Sequence, residues 1–280
     1  MAGVALLWLL LAGGCATRPP VGEPLIESRR QEVVDAFQKE MRQRRQQLRC
    51  LDAEAEVSWR NWLRSGTMPG YLQLKRPGGL QYVGLDPLGR PLLALVVVDD
   101  AFQLAVISEA KVYEGATGAG AFRRHLPPGI EPRDLSTSLF AWLSGGLPFT
   151  TAIEGVYREL GQEVGKEEPA APGFWLEFDS PVPARLLYRP GHRQPGRIER
   201  LQLFAERHSP PTEFIYSEHQ ALTVAAGARK WPVPHRLELA TRQHQGLELT
   251  MVLNDVRTAC PPDDDLRLPV PPGFSRETVE

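Results

Sequence analysis

The side chains best suited to covalent chemistry in this chain are three cysteines, Cys15, Cys50 and Cys260. They form no Cys-x-x-Cys pair and no Cys/His set at metal-ligand spacing, so neither a metal centre nor a redox dithiol is expected. The histidines at 125, 192, 208, 219, 235 and 244 make no His-Glu-x-x-His run. The stretch Trp142-Leu143-Ser144-Gly145-Gly146 lacks the Gly-x-Ser-x-Gly elbow that exposes a nucleophilic serine. Gly115 to Gly120 misses the glycine spacing of a dinucleotide loop and opens no βαβ unit. Asp263 to Asp265 is an acidic run with no partner ligands, which suits a solvated surface. No enzyme and no cofactor are expected.

One cysteine stands apart. An apolar run from Val4 to Ala12 precedes Ala12-Gly13-Gly14-Cys15. The run is too short to span a bilayer as a mature helix and has the length of a signal-peptide core. Small residues followed by cysteine resemble the bacterial lipobox. That resemblance implies cleavage after residue 14 and acylation of Cys15, with Ala16 pointing to the outer membrane. Burying acyl chains contributes about 0.8 kcal/mol per CH₂, and a lipoprotein usually carries three chains, so Cys15 alone would anchor the protein. Residues 15–27, Pro- and Gly-bearing, are expected to be a flexible tether. The chain would sit on the outer membrane facing the periplasm, a compartment that permits disulfides. There Cys50 and Cys260 are either a bridge or two separate thiols. A net charge of −2 over 280 residues argues against a nucleic-acid binder, which usually needs a basic face.

The elements follow from periodicity. Val33, Val34, Phe37 and Met41 form an apolar stripe at helical spacing, with Ser28 as candidate N-cap and Gln31 completing a capping box. The basic end, Arg42, Arg44, Arg45 and Arg49, complements the helix dipole and is expected to face solvent. At Leu51 the period changes to two. Leu51, Ala53, Ala55, Val57 and Trp59 alternate with polar residues, the signature of a strand with one buried face. Short strands separated by "SGTMPG", "RPGG", "DPLG" and "DD" continue to residue 114, and others run from 174 to 257. Leu249 and Met251 lie on the apolar side of the last of these. Between them, 127–173 is expected to be a helical insertion. Its first helix carries Leu135, Leu139, Trp142 and Leu143 on one face, and a second, weaker helix is expected at 151–164. The tail, 259–280, is expected to lie along the surface.

About a dozen strands, few helices and no internal repeat suggest one curved α+β, mainly β, domain over 28–258. A sheet of that size leaves more space than its own side chains fill. The insertion helix is the natural plug, and an apolar hollow beneath it suits an apolar ligand. Alternation alone leaves open a sandwich whose core is filled. The candidate cavity and lid residues are Leu51, Ala53, Val57, Trp59, Leu135, Leu139, Trp142, Leu143, Leu249 and Met251.

Three segments in order carry a family resemblance: "GLDPLGRPLLAL" (84–95), "DLSTSLFAWLSGGLP" (134–148) and "WPVPHRLELATRQHQGLELTMVLNDV" (231–256). Together with the lipobox they resemble LolB-type outer-membrane lipoprotein receptors, of the LolA/LolB half-barrel superfamily. The resemblance implies an incomplete antiparallel β-barrel of about 11 strands with a helical lid. It implies acceptance of lipoprotein acyl chains from a LolA-like periplasmic carrier and insertion into the outer membrane, by a protein expected to be monomeric. It also implies that the turn Pro87-Leu88-Gly89 enters the membrane through Leu88. A carrier or sensor of another lipid, or a structural envelope lipoprotein without ligand, are the alternatives.

Overall fold

In the computed structural model the period-two stretches become one continuous sheet. The structure describes residues 22–61, 63–118, 135–147, 152–160, 172–179, 183–192, 194–205, 209–224, 230–241, 247–260 and 272–279, with 262, 266, 268 and 270. Along the chain come β1 (Gly22–Pro24), helix α1 (Glu27–Gln47), β2 (Cys50–Arg60), β3 (Ser65–Lys75), β4 (Gly79–Leu85), β5 (Pro91–Val98), β6 (Ala101–Val106) and β7 (Lys111–Ala116). Helix α2 (Leu135–Leu143) precedes β8 (Gly155–Glu159), β9 (Phe174–Phe178), β10 (Ala184–Arg189) and β11 (Arg197–Leu203). Then follow β12 (Thr212–Thr223), β13 (Lys230–Thr241), β14 (Glu248–Arg257) and β15 (Ser275–Val279).

The spatial order is β1-β8-β9-β10-β11-β12-β13-β14-β2-β3-β4-β5-β6-β7-β15. Neighbours are antiparallel except β15, which runs parallel to β7. The outermost strands β1 and β15 do not pair with each other, so the sheet is an open, incomplete barrel. It contains fifteen described strands rather than about eleven. The additions β1, β8 and β15 are too short to show a period. The region 151–164 corrects the expectation of a second helix: Gly155–Glu159 is a strand between β1 and β9. Paired neighbours on both sides outweigh weak local propensity there. The "SGTMPG" turn signal is likewise the start of β3. Its Pro69 is tolerated because β4 pairs with β3 only from Gly70 onward.

Helix α1 lies across one face of the sheet, here the inner face. Val33 and Phe37 are buried, and the Phe37 ring meets Tyr188 edge-on at 5.1 Å and Phe178 at 6.5 Å. The helix begins one residue before the expected cap: Ile26 is the N-cap and makes no side-chain cap bond, while Gln31 donates to Asp35 at 2.9 Å. Arg44 corrects the expectation of a solvated basic end. It is 2% exposed, and its guanidinium donates to the carbonyls of Ser144, Pro232 and Gly196. Arg45 donates to the Leu147 carbonyl. The C-terminal end of α1 thereby grips the end of α2, and Thr137 of α2 bonds the Pro77 carbonyl at 2.9 Å. Trp142 of α2 packs on Phe214 with ring centroids 4.6 Å apart.

The opposite, outer face is covered near β5–β7 by the C-terminal segment. Leu268, Val270 and Phe274 pack on Val96, Ala105 and Val112. The segment is not simply laid on the surface: it finishes as β15, edge-paired to β7. It is tied to the start of β2 by the Cys50–Cys260 bond, with Cα atoms 5.0 Å apart.

Stretches 213–217 and 220–224, distinct by pattern, form the single strand β12, which passes through a left-handed kink at Glu218 (φ 53°) in unbroken register with β13. Next to the kink, His219 bonds the Ile198 carbonyl through Nε2 at 3.0 Å. Burial, aided by the nearby Arg197 charge, lowers its pKa from 6.5 to about 4. The folded state therefore resists a proton that the unfolded chain accepts. Stability from neutral His219 is complete above pH 6.5 and is lost as pH falls toward 4. Relative to His219→Gln, the wild type should lose up to about 1.4 kcal/mol per pH unit in that window, read from urea unfolding at stepped pH.

Candidate functional site

Cross-strand partners share a face, so the register maps the inner surface residue by residue. On β2 it runs Leu51, Ala53, Ala55, Val57, Trp59; on β3 the facing residues are Leu74, Leu72, Gly70, Met68 and Gly66. Burial along these rows is graded. Leu51 and Leu74 are sealed, whereas Val57, Trp59 and Met68 are half-buried. The same gradient recurs on β14, from Leu253 to Met251 and Leu249, and on β5, from Val97 to Leu95 and Leu93. Leu104 and Tyr113 continue the half-buried set on β6 and β7. The inner face is thus packed solid at the end gripped by α1 and α2. It opens into an apolar mouth at the end where the β2–β3, β4–β5 and β6–β7 hairpins turn.

The floor of that mouth is built from large side chains lying flat over glycines. A Cβ on Gly66 would fall 2.4 Å from the Trp59 ring, one on Gly84 2.4 Å from the Met68 sulfur, and one on Gly70 2.9 Å from the Tyr82 ring. Tyr82 donates its hydroxyl to the Met68 carbonyl at 3.0 Å. Side chains at these three positions would push the floor up into the mouth. Among the described residues, Trp142 Nε1 and the Tyr216 hydroxyl on the inner face are buried without hydrogen-bond partners, and burial pushes the Tyr216 pKa upward. Buried donors ordinarily find acceptors, so a ligand carbonyl would satisfy these groups.

The sequence-chosen residues divide between these zones. Val57, Trp59, Leu139, Leu249 and Met251 are half-buried, and Val57, Trp59, Leu249 and Met251 sit in the mouth. Leu51, Ala53, Trp142 and Leu143 are buried in the interior below the mouth. Leu135 opens α2. Met68, Tyr82, Leu93, Leu95 and Leu104 were not among the expected residues. Met68 is hidden inside the "SGTMPG" turn signal, and the unbroken apolar run of β5 conceals which side faces in. A separate hollow of about 790 Å³ lies mainly on the outer face, between β4–β7 and Leu266, with Gly79, Val98, Gln103 and Glu114 in its wall. It mixes charged and apolar groups and lies on the other side of the sheet from the mouth, so we place the candidate apolar site on the inner face.

At the open end, the β4–β5 turn is stiffened by its own first residue. Asp86 Oδ1 accepts from the backbone N–H groups of Leu88 (2.8 Å) and Arg90 (2.9 Å). Gly89 takes φ 79°, closing the turn. Backbone bonds and the guanidinium of Arg90 hold the Asp86 carboxyl below its usual pKa. Leu88 stands out at 77% exposure, not folded back on the domain. Cys15 lies outside the described residues.

No protein-family model and no curated protein matches the chain. Solved structures do. A domain described as that of an outer membrane lipoprotein-sorting protein from Vibrio parahaemolyticus matches with TM-score 0.52 and 13% identity, over 82% of this chain and 94% of that one. A DUF1329-family protein from Desulfovibrio piger gives TM-score 0.53 and 12% identity over 83% and 95%. A LolA superfamily protein from Nitrosomonas europaea gives 0.49 and 10% over 83% and 98%. The fold is an incomplete β-barrel shared with the first two of these structures. At these identities the likeness speaks for architecture.

Proposed function

We propose that this protein accepts acyl chains in the half-open mouth of its inner face and delivers their lipoprotein owners to the outer membrane. The observation that carries the reading is the burial gradient. A structural protein gains from burying its apolar side chains at both ends of the barrel, whereas this one leaves Trp59, Met68, Leu93 and Met251 part-exposed at one end. The likeness to a lipoprotein-sorting domain supports acyl chains of lipoproteins or lipids as the ligand class. In this reading Cys15 carries the membrane anchor, and a LolA-like carrier delivers cargo to the open end.

Leu88 would act at the handover. Burying one leucine in lipid contributes about 1.5–3 kcal/mol, enough to set the mouth against the bilayer but small beside the acyl anchor. Leu88→Glu should leave stability within about 0.5 kcal/mol, as exposed substitutions do, and should slow cargo transfer to liposomes at least severalfold. Transfer at the wild-type rate would remove Leu88 from the mechanism. Native mass spectrometry of the chain from residue 16 onward tests the binding step. Co-purified lipid or acyl peptide is the expected result. A ligand-free mass together with no uptake of a fluorescent fatty acid would favour a structural role.

A further inference from the structure

The hairpin beside Leu88 repeats its construction. In the β2–β3 turn, Asn61 Oδ1 accepts from the backbone N–H groups of Leu63 (2.9 Å) and Arg64 (2.7 Å). In the β4–β5 turn, Asp86 Oδ1 does the same for Leu88 and Arg90. Each turn is closed by the N–H of its Asx residue donating to the carbonyl of its arginine, at 2.9 Å for Arg64 and 2.8 Å for Arg90. Both therefore hold a leucine two positions after an Asx residue and end on an arginine. An Asx side chain that bonds its own turn fixes the tip without help from the body of the protein.

Leu63 is 63% exposed and Leu88 77%. Because β3 and β4 are neighbours, the two tips stand about two strand spacings apart, roughly 10 Å, at the open end of the sheet. Leu88 lies four residues past the Gly84–Gly70 pair and Leu63 seven residues beyond it on β3's side, so the second tip reaches at least as far. Among the described residues no carboxylate pairs with Arg64, while Arg90 is held by Asp86 at 2.7 Å. Two exposed leucines beside an unpaired guanidinium suit a bilayer: the side chains enter its apolar layer and the guanidinium meets phosphate at its surface.

We infer that Leu63 and Leu88 form a two-pronged docking edge for a phospholipid bilayer, with Arg64 binding anionic headgroups. This rests on the membrane role of Leu88 proposed above. Two contacts remove a rotation that one contact leaves free, so the second prong narrows the angles at which the mouth meets the lipid.

The test is flotation of the chain from residue 16 onward, which retains every described element, with vesicles of phosphatidylcholine alone or with one-third phosphatidylglycerol. Folding of each variant is checked by circular dichroism. Wild type should float with anionic vesicles; Leu63→Glu and Leu88→Glu should each lower the bound fraction at least fivefold. Arg64→Ser should lower it on anionic vesicles and leave phosphatidylcholine binding unchanged. If Leu88→Glu loses binding while Leu63→Glu and Leu63→Ala bind as wild type, the second prong is refuted and the Leu88 proposal stands. If Leu88→Glu also binds as wild type, the membrane role of both tips is refuted. Neither result touches acyl uptake, which the mass measurement reads separately.

Discussion

Arg44→Met should destabilise the protein by about 3–5 kcal/mol, the range for removing one partner from a buried charged network. Arg44 is sealed, and burial lowers its pKa to about 10, with Glu40 opposing the shift; it stays charged at neutral pH. Its guanidinium reaches the carbonyls of Ser144 after α2, Pro232 on β13 and Gly196 before β11. It also stacks 5.1 Å from the Trp231 ring, whose Nε1 donates to Gln47. One side chain thus joins α1, α2 and two parts of the wall. Methionine fills similar volume but withdraws the donor from the buried carbonyls of Ser144 and Gly196 and the part-buried one of Pro232, and a buried acceptor left unsatisfied costs about 1–3 kcal/mol. Arg44→Lys should recover only part of the loss, since an ammonium cannot span the fork of a guanidinium. Arg42→Met, on the exposed side of the same helix, is the control and should stay within about 0.5 kcal/mol. Urea unfolding of the three variants checks this. An Arg44→Met midpoint equal to that of Arg42→Met would show that the plugged end holds without the clamp.

The second large effect concerns the bridge. Cys50→Ala with Cys260→Ala opens a loop whose ends are 210 residues apart. The chain-entropy argument gives about 5 kcal/mol for closing so long a loop, and native bridges typically deliver about 2–5. The loss should appear first in the C-terminal segment. Cys50 is buried at the start of β2, but Cys260 leads into the run that covers Val96, Ala105 and Val112 and ends as β15. Freed of the bridge, that run is held, among the described residues, by edge pairing to β7, the exposed ion pairs Lys111–Glu277 and Arg276–Glu114, and a small apolar contact. Hydrogen exchange should therefore rise in β15 and β7 before β2 and β3. Equal exchange throughout, or an unchanged unfolding midpoint, would show that the bridge contributes nothing to the native state.

What the chain reveals without coordinates is uneven for physical reasons. The alternation of Leu51 to Trp59 is plain because one face of β2 is buried and the other wet, and the α1 stripe is plain for the same reason. Turn chemistry at Asp86 to Gly89 is local, so the turn could be read directly, whereas the outward display of Leu88 follows only from the family resemblance. Depth is a different matter. Alternation says which way Val57 points but not how far along the barrel the packing stops, so Leu51 and Val57 look equivalent when one is sealed and the other lines the mouth. Arg44 looks like a solvated end-of-helix cation because the carbonyls that receive it come from Gly196, Pro232 and Ser144, far off in sequence. Strands β8 and β15 exist through their partners, not through their own few residues. The Leu63 turn escaped notice beside the more obvious Pro-Leu-Gly turn, although Asn61 carries the same signal as Asp86.

An acyl chain bound on the inner face meets different side chains from one bound on the outer face. Leu104 and Gln103 are adjacent on β6 and point to opposite faces, Leu104 into the mouth and Gln103 into the wall of the outer hollow. A photoreactive phenylalanine analogue placed at one position or the other, in protein incubated with radiolabelled palmitate and illuminated, reports the face directly. Labelling from position 104 and none from 103 is the expected result; labelling from 103 alone, or from neither, would contradict an acyl site on the inner face.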